Sequence, residues 1–445
     1  MIGALRRILC VFVSAALIVG AGGSIQSADP LADIRAEAAR RSRAMEWARG
    51  LTSAPRLTGS HGLDAAGDWV VAQLNQLDLA NVHLERWPFE RRWSVTAAVF
   101  ELMTPVTQSL AVVAHTWSPG TNGSQTGPLR MIRRSGKGRF ETRGQSVKDA
   151  FALLLGSNPL SPEEQSRLQE FLQREGAVGL LTRSTGFDAK VVYATTGHTP
   201  EQDNRRLLVP SVAVRPDHFR QLEQAAGRGE ATARGNLTVA QSPGGDDTGF
   251  NVIAELVGSA PAEAPVVIGA HLDSMHPATG ATDNAFGCAA MIEALRVIAA
   301  TGHQPRRTIR LGLWGGEEEN RRGSKAYVGA HSRDRGAVYF NLDRGAGPIV
   351  GLIAEGDHQL VAPARNWLAR VQSYGVRSFD VMATAGSDHI SFRDAGVPTF
   401  SFVQDEMRAY QTTHHSSADT IDAVREGNLR QASLVVATLV WLAAQ

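Results

Sequence analysis

Cysteine is almost missing from this chain. Cys10 and Cys288 are the only two in 445 residues, and Cys10 sits in an N-terminal segment with the marks of removal, so no intramolecular disulfide framework is expected. Excess charge of either sign is missing as well. The 45 Lys and Arg against 44 Asp and Glu leave +1, scattered rather than gathered in a stripe. That balance gives polyanions no landing surface and speaks against nucleic acid and anionic membrane as partners. Long apolar runs are absent except at 8–21, and no internal repeat is present. What remains is an ordinary soluble composition, 43% hydrophobic and 20% charged. The length suits one large domain and a smaller one, able to bury a core without disulfide staples.

The run 8–21 follows Arg6 and Arg7 and precedes Gly22, Gly23, Ser24, Ser27 and Ala28. That charged, apolar, small order reads as a signal peptide over 1–28, and the run is short for a membrane span. Cleavage after Ala21 reads better than after Ala28. The paired arginines leave the twin-arginine route open, and a retained N-terminal anchor is the alternative. The expectation is a secreted or periplasmic protein without stable membrane insertion. Cys288 lies in the apolar helical run 285–300 and reads as a small buried hydrophobe rather than a nucleophile.

Apolar spacing predicts helices between about 31 and 80, one of them over 65–79, then strands at 82–89 and 95–103. From about 104 to 245 short apolar runs alternate with Gly, Ser and Pro. Ser161-Pro162-Glu163-Glu164 opens a capped helix that ends at Gly176, and strands are expected at 177–182 and 209–214. This stretch is expected to be an inserted domain, bounded by the turn-rich 241–248. The main domain then consists of 29–103 and 246–445. Strands at 252–256, 265–272, 308–314, 337–342 and 399–403 alternate with helices at 285–300, 359–373 and 428–444. The fold class is α/β, a mostly parallel mixed sheet with helices on both faces. Ligands in such folds gather beyond the carboxyl ends of the strands.

Metal-ligand residue types fall in those places. His271-Leu272-Asp273 ends one strand, Glu317-Glu318-Glu319 follows another after two glycines, and Asp343 ends a third. Asp283 stands just before a helix, and His414-His415 lies in a late loop. Imidazole and carboxylate hold zinc while leaving a position open, and a carboxylate flanked on each side by one His and one carboxylate makes a two-metal hydrolytic site. Each residue also has a plain structural reading: Asp283 as a helix cap, the three glutamates as a solvated patch at a helix start, Asp343 as a strand-end residue. The set taken together outweighs them.

Gly269-Ala270-His271-Leu272-Asp273-Ser274, 280–287, Trp314-Gly315-Gly316-Glu317-Glu318 and His415-Ser416-Ser417-Ala418-Asp419-Thr420 closely resemble the zinc exopeptidase family of bacterial leucyl aminopeptidases and glutamate carboxypeptidases. Asn341-Leu342-Asp343-Arg344-Gly345, and 386–398, look most like its plasma glutamate carboxypeptidase branch, carboxypeptidase Q. The resemblance runs from about Arg56 to the C-terminus. It implies a zinc exopeptidase fold, a protease-associated-type insert, and two zinc ions. His271 and Asp343 would bind one ion, Glu318 and His415 the other, and Asp283 would bridge them. Glu317 would accept the proton of the attacking water, and the Asp273 carboxylate would hold the far nitrogen of His271. A cis Asp283-Asn284 peptide is implied as well. Asn284 stands where relatives often carry Asp, with little loss expected, and Glu319-Asn320-Arg321 replaces a glycine-containing turn.

His414 is read as lining the pocket, Tyr410 as an oxyanion donor or a plain loop aromatic, and Asp388 and His389 as pocket or turn residues. The implied activity is hydrolysis of dipeptides or short peptides, with the insert beside the mouth of the site. An aminopeptidase is the alternative. A one-zinc glutaminyl cyclase-like acyltransferase and a catalytically dead binding module are further classes, opposed by the complete ligand set. Side-chain preference and a homodimer stay open.

Overall fold

The computed structural model describes residues 29–445 except 136–138, 143, 157–159, 195–206, 230 and 333–335, so the signal-peptide segment lies outside the described residues. Its N-terminal helices are Pro30–Arg40, Ala44–Leu51 and His61–Leu74. The third begins four residues before the expected 65 because Ser60 caps it, its side chain accepting from Leu63 N.

The catalytic sheet runs, from its edge inward, Ser378–Val381, Ile349–Ala354, Thr399–Gln404, Val338–Asn341, Val266–His271, Ile309–Trp314 and then Thr232–Leu256. The Val266–His271 strand is central and parallel to both neighbours. Thr399–Gln404 also joins in parallel, while Ile349–Ala354 and Thr232–Leu256 pair antiparallel. Alternation along the central strands separates two cores. Val266, Ile268 and Ala270 point into one with helices Phe286–Ala300 and Glu426–Ala443. Val267, Trp314 and Tyr339 point into the other with Tyr327 and Phe392. Both faces are covered, which is why these strands read as continuous apolar runs rather than alternating ones.

The strands expected at 82–89 and 95–103 are one strand, Ala80–Thr104, paired antiparallel with Thr232–Leu256 from Ala80↔Glu255 to Thr104↔Thr232. The stretch 241–248 is therefore no linker but part of this ribbon. Trp87 pairs with Gly249 and Phe89 with Gly245, so residues 246–248 loop out opposite Pro88, which has no N–H to offer the ladder. The turn-forming composition marks a bulge.

Along the ribbon's far half the sheet continues through Gln125–Ser135, Phe151–Leu155, Gly179–Arg183, Ser211–Val214 and Val112–Ala114. Phe151, Leu153 and Leu181 pack with helix Pro216–Gly227 on one side, and Ala152 and Leu180 with helix Pro162–Arg174 on the other. The latter helix carries the expected capping box at Ser161 and Glu164.

Candidate metal centre

Three strand ends and two loops bring the ligand-type side chains together. His271 closes the central strand, and Glu317 and Glu318 follow Ile309–Trp314. Asp343 follows Val338–Asn341, and His415 lies after helix Met407–Thr413. Asp283 sits in a kinked turn before helix Phe286–Ala300, with its peptide to Asn284 cis. Gly280 opens that turn at φ 61, where an added Cβ would stand 2.2 Å from Ser274 Cβ, so only glycine fits.

Around Asp283 the atoms converge. His271 Nε2 lies 3.1 Å from Asp283 Oδ1 and 3.2 Å from Asp343 Oδ1. On the other side His415 Nε2 lies 3.2 Å from Asp283 Oδ2 and 3.0 Å from Glu318 Oε2. His414 Nε2 reaches to 3.7 Å of Asp283 Oδ2, but that side chain is 46% exposed while Glu318 is 4% exposed. His414 stacks on His415 at 3.8 Å between centroids. The donor set fits a pair of dications. Its atoms are bare carboxylate oxygens and imidazole nitrogens, and Asp283 Oδ2 and Glu318 Oε1 are buried without a hydrogen-bond partner.

The field supports that fit. Burial alone would lower His271, but Asp343, with Asp273 and Asp283, raises it well above the usual imidazole range. Burial lowers His415 likewise, and Glu318 and Asp283 raise it well above that range. Burial would raise Asp283, yet His271 and His415 hold it well below the ordinary carboxylate range. Glu317 makes none of the close His approaches of the other carboxylates. Burial, with Asp343, Asp388 and Glu318, pushes it well up against the pull of His271.

Asp273 does something other than expected. His271 Nδ1 faces the Asp273 backbone carbonyl at 3.0 Å, while the nearer carboxylate oxygen is 3.6 Å away. With Nδ1 turned to a carbonyl, Nε2 is left for a ligand. The Asp273 carboxylate instead accepts from Glu317 N at 3.1 Å, Glu318 N at 3.2 Å and Thr58 Oγ1 at 2.8 Å. It clamps the backbone of the glutamate pair, because two adjacent N–H groups at the strand end need an acceptor and the nearest strand end supplies one.

The two departures from the family pattern acquire physical roles. Asn284 Nδ2 donates to Leu342 O at 2.9 Å, tying the Asp283 turn to the residue before Asp343, which an aspartate could not do. Asn320 and Arg321 take φ 68 and 59, the left-handed region in which glycine costs least. The turn after the paired glutamates thus holds two left-handed residues without glycine.

Several supporting residues went unnoticed in the sequence. Buried Arg56 donates to Leu51 O, Leu272 O, Thr279 O and Gly280 O, bracing the loops that carry His271 and Asp283. Asp419 accepts from Thr282 N at 2.6 Å and Asp283 N at 3.2 Å, and burial, with Asp283, pushes its carboxyl up to about 7. Trp117 Nε1 donates to buried Glu319 at 3.2 Å. The hints were Arg56 at the start of the resemblance and Asp419 inside its last motif. Among the weighed pocket residues, the Tyr410 ring covers Gly345, which follows Arg344. Asp388 is fully buried, and burial pushes it up to about 7 against the pull of His271. His389 is buried beside Glu355, 3.7 Å away. Cys288 is buried as expected, donating to His271 O.

Residues 251–440 match the model of Peptidase family M28, a span that contains all five ligand candidates, Glu317 and Asp273. Carboxypeptidase Q of Mus musculus is 28% identical over 405 residues, 88% of this chain and 83% of that protein. The crystal structure of a Peptidase M28 precursor from Shewanella amazonensis SB2B aligns at TM-score 0.73 and 26% identity, covering 93% of this chain and 96% of the other. BSAP, a zinc aminopeptidase from Bacillus subtilis, shares the fold at TM-score 0.63 and 20% identity, covering 91% and 95%.

Proposed function

We propose, from the premise that this chain is a metallopeptidase homologous to the members of peptidase family M28, that it is a two-zinc exopeptidase hydrolysing dipeptides or short peptides outside the cytoplasm. The observation that carries the reading is the position of Asp283, with one oxygen 3.1 Å from His271 and the other 3.2 Å from His415. His271 and Asp343 would hold one ion, Glu318 and His415 the second, and Asp283 both. Bound zinc supplies Lewis acidity and brings water to reactivity near neutral pH. Glu317, its backbone clamped by Asp273, takes a proton from the attacking water and returns it to the leaving amine.

Preference for a free C-terminus is supported by Arg344. It directly follows Asp343, and its one hydrogen bond among the described residues is long, 3.5 Å to Ala385 O. A guanidinium so weakly engaged, on the residue after a ligand candidate, suits a substrate carboxylate. We also propose that residues 104–245 form an inserted unit bordering the site. His276 Nε2 meets Ala114 O at 2.7 Å and Ala194 N donates to His415 O at 2.6 Å, contacts that support a restricted mouth. Export is proposed on the sequence of 1–28; among the described residues no helix is long and apolar enough to cross a membrane.

The test is a panel of free dipeptides, their C-terminal amides and their N-acetyl forms, with wild type and Arg344→Gln. Free dipeptides are expected to be preferred over amides, and Arg344→Gln to raise KM for free dipeptides alone. Equal cleavage of amides, with an absolute need for a free amine, would instead favour an aminopeptidase.

A further inference from the structure

His415 adopts φ 55, a left-handed conformation that residues with a side chain occupy only when their surroundings impose it. Part of the constraint is local. Ser416 N donates to Thr413 O at 2.9 Å and Ser416 Oγ to Thr412 O at 2.7 Å. The rest comes from far away in sequence. Ala194 N donates to His415 O at 2.6 Å, Ser417 N to Val192 O at 2.8 Å, and Val192 N to Ser417 Oγ at 3.2 Å. Tyr193 thus bridges antiparallel to Ser416. Three hydrogen bonds from one short segment bracket the carbonyl of His415 and the two residues after it.

That segment is rooted in the inserted sheet. Tyr193 N donates to Ser184 Oγ at 2.8 Å, and Ser184 N to Val214 O at 2.9 Å. Val192 packs with Val113 and Ala213 in a small buried cluster. The Tyr193 ring lies on Gly186, where an added Cβ would stand 2.1 Å from it, and its hydroxyl accepts from Asp188 N at 2.9 Å and donates to Gln411 O at 3.3 Å. The chain from Ser184 to Ala194 therefore carries the position of the inserted sheet to the backbone of His415.

We infer that Val192-Tyr193-Ala194 is a positioning strap for His415, through which the inserted unit sets zinc affinity at the Glu318–His415 position and leaves the His271–Asp343 position untouched. The inference rests on the two-zinc reading. Without the strap the His415 carbonyl loses its 2.6 Å partner, the left-handed residue relaxes, and Nε2 turns away from Glu318 and Asp283. The first zinc has no such dependence, because among the described residues no hydrogen bond runs from the strap to His271 or Asp343.

The experiment measures zinc per chain after dialysis against graded chelator, with melting temperature alongside. Ala194→Pro deletes the N–H donor; Ala194→Gly keeps it. Ala194→Pro is expected to release one of two zinc equivalents at chelator concentrations about 10-fold or more below wild type, the scale of losing a group that orients a ligand. Added zinc should then restore kcat with KM unchanged, and Ala194→Gly should hold both ions like wild type. A strap that only stabilised the fold would lower the melting temperature and release both ions together, which overturns the inference. If Ala194→Pro shows no cooperative melt, Tyr193→Phe and Gly186→Ala decide: early release of one ion supports the strap, and wild-type retention in both overturns it. His415→Ala separates the two levels of the argument. Full zinc retention there breaks the ligand reading itself, whereas loss there with none in the strap variants breaks only the strap.

Discussion

Replacing Asp273 by Asn changes one oxygen into an amide nitrogen at the centre of the site. The carboxylate is completely buried and accepts from Glu317 N at 3.1 Å, Glu318 N at 3.2 Å and Thr58 Oγ1 at 2.8 Å. Asn keeps one acceptor, so at least one N–H or O–H donor must face an NH2 group. Hydrogen bonds to a charged group contribute about 1.5–3 kcal/mol each, and a buried donor left unmatched costs about 1–3 kcal/mol. The substitution should therefore cost about 2–4 kcal/mol in holding the Glu317-Glu318 turn, equivalent to roughly 30- to 1,000-fold in kcat/KM if it falls on catalysis. The assay is kcat/KM on a cleaved dipeptide, with zinc content and melting temperature beside it. Thr58→Val removes only the hydroxyl donor to the same carboxylate and should cost about 1.5–3 kcal/mol. Asp273→Asn within threefold of wild type, with unchanged zinc and melting temperature, would refute the clamp.

The two adjacent glutamates should behave differently. Glu317→Gln should keep its zinc while kcat falls at least about 100-fold, and Glu318→Gln should lose zinc and recover part of its activity when zinc is added; the reverse pattern would exchange the roles. His276 is buried and its pKa is pushed down by burial to about 4 from 6.5. The unfolded chain thus binds this proton first, so stability present above pH 6.5 is lost as pH falls toward 4, about 2 kcal/mol of it between pH 7 and 5. His276→Gln should show a smaller drop in melting temperature across that interval, and equal drops would contradict the assignment. Burial pushes the Cys288 thiol up to about 12, so native protein at pH 8 should resist thiol reagents until it is denatured; rapid labelling would show an open path to the centre.

Strand positions in the catalytic sheet were legible because both faces are buried: 265–272 and 308–314 read as apolar runs and became Val266–His271 and Ile309–Trp314. The metal-ligand candidates were legible because zinc chemistry demands particular side chains, and these stood at three strand ends, in the turn before a helix and in a late loop. The ribbon was not legible. Its bulge at Pro88 opposite 246–248 uses the composition of a surface turn, and only the pairing distinguishes the two. The Asp273 clamp and the strap at Ala194 were hidden for a common reason: one or both partners are backbone groups, which every sequence has. Arg56 was hidden because a buried arginine satisfied by carbonyls has no partner residue type to look for.

The measurement that tests the central claim most directly is diffraction from crystals of the zinc-loaded protein on both sides of the zinc absorption edge. The account expects two anomalous peaks per chain, one on each side of the Asp283 carboxylate. The first should lie against His271 and Asp343, the second against Glu318 and His415, with Glu317 bound to neither. A single peak, or a second peak held by His414 in place of Glu318, would contradict it.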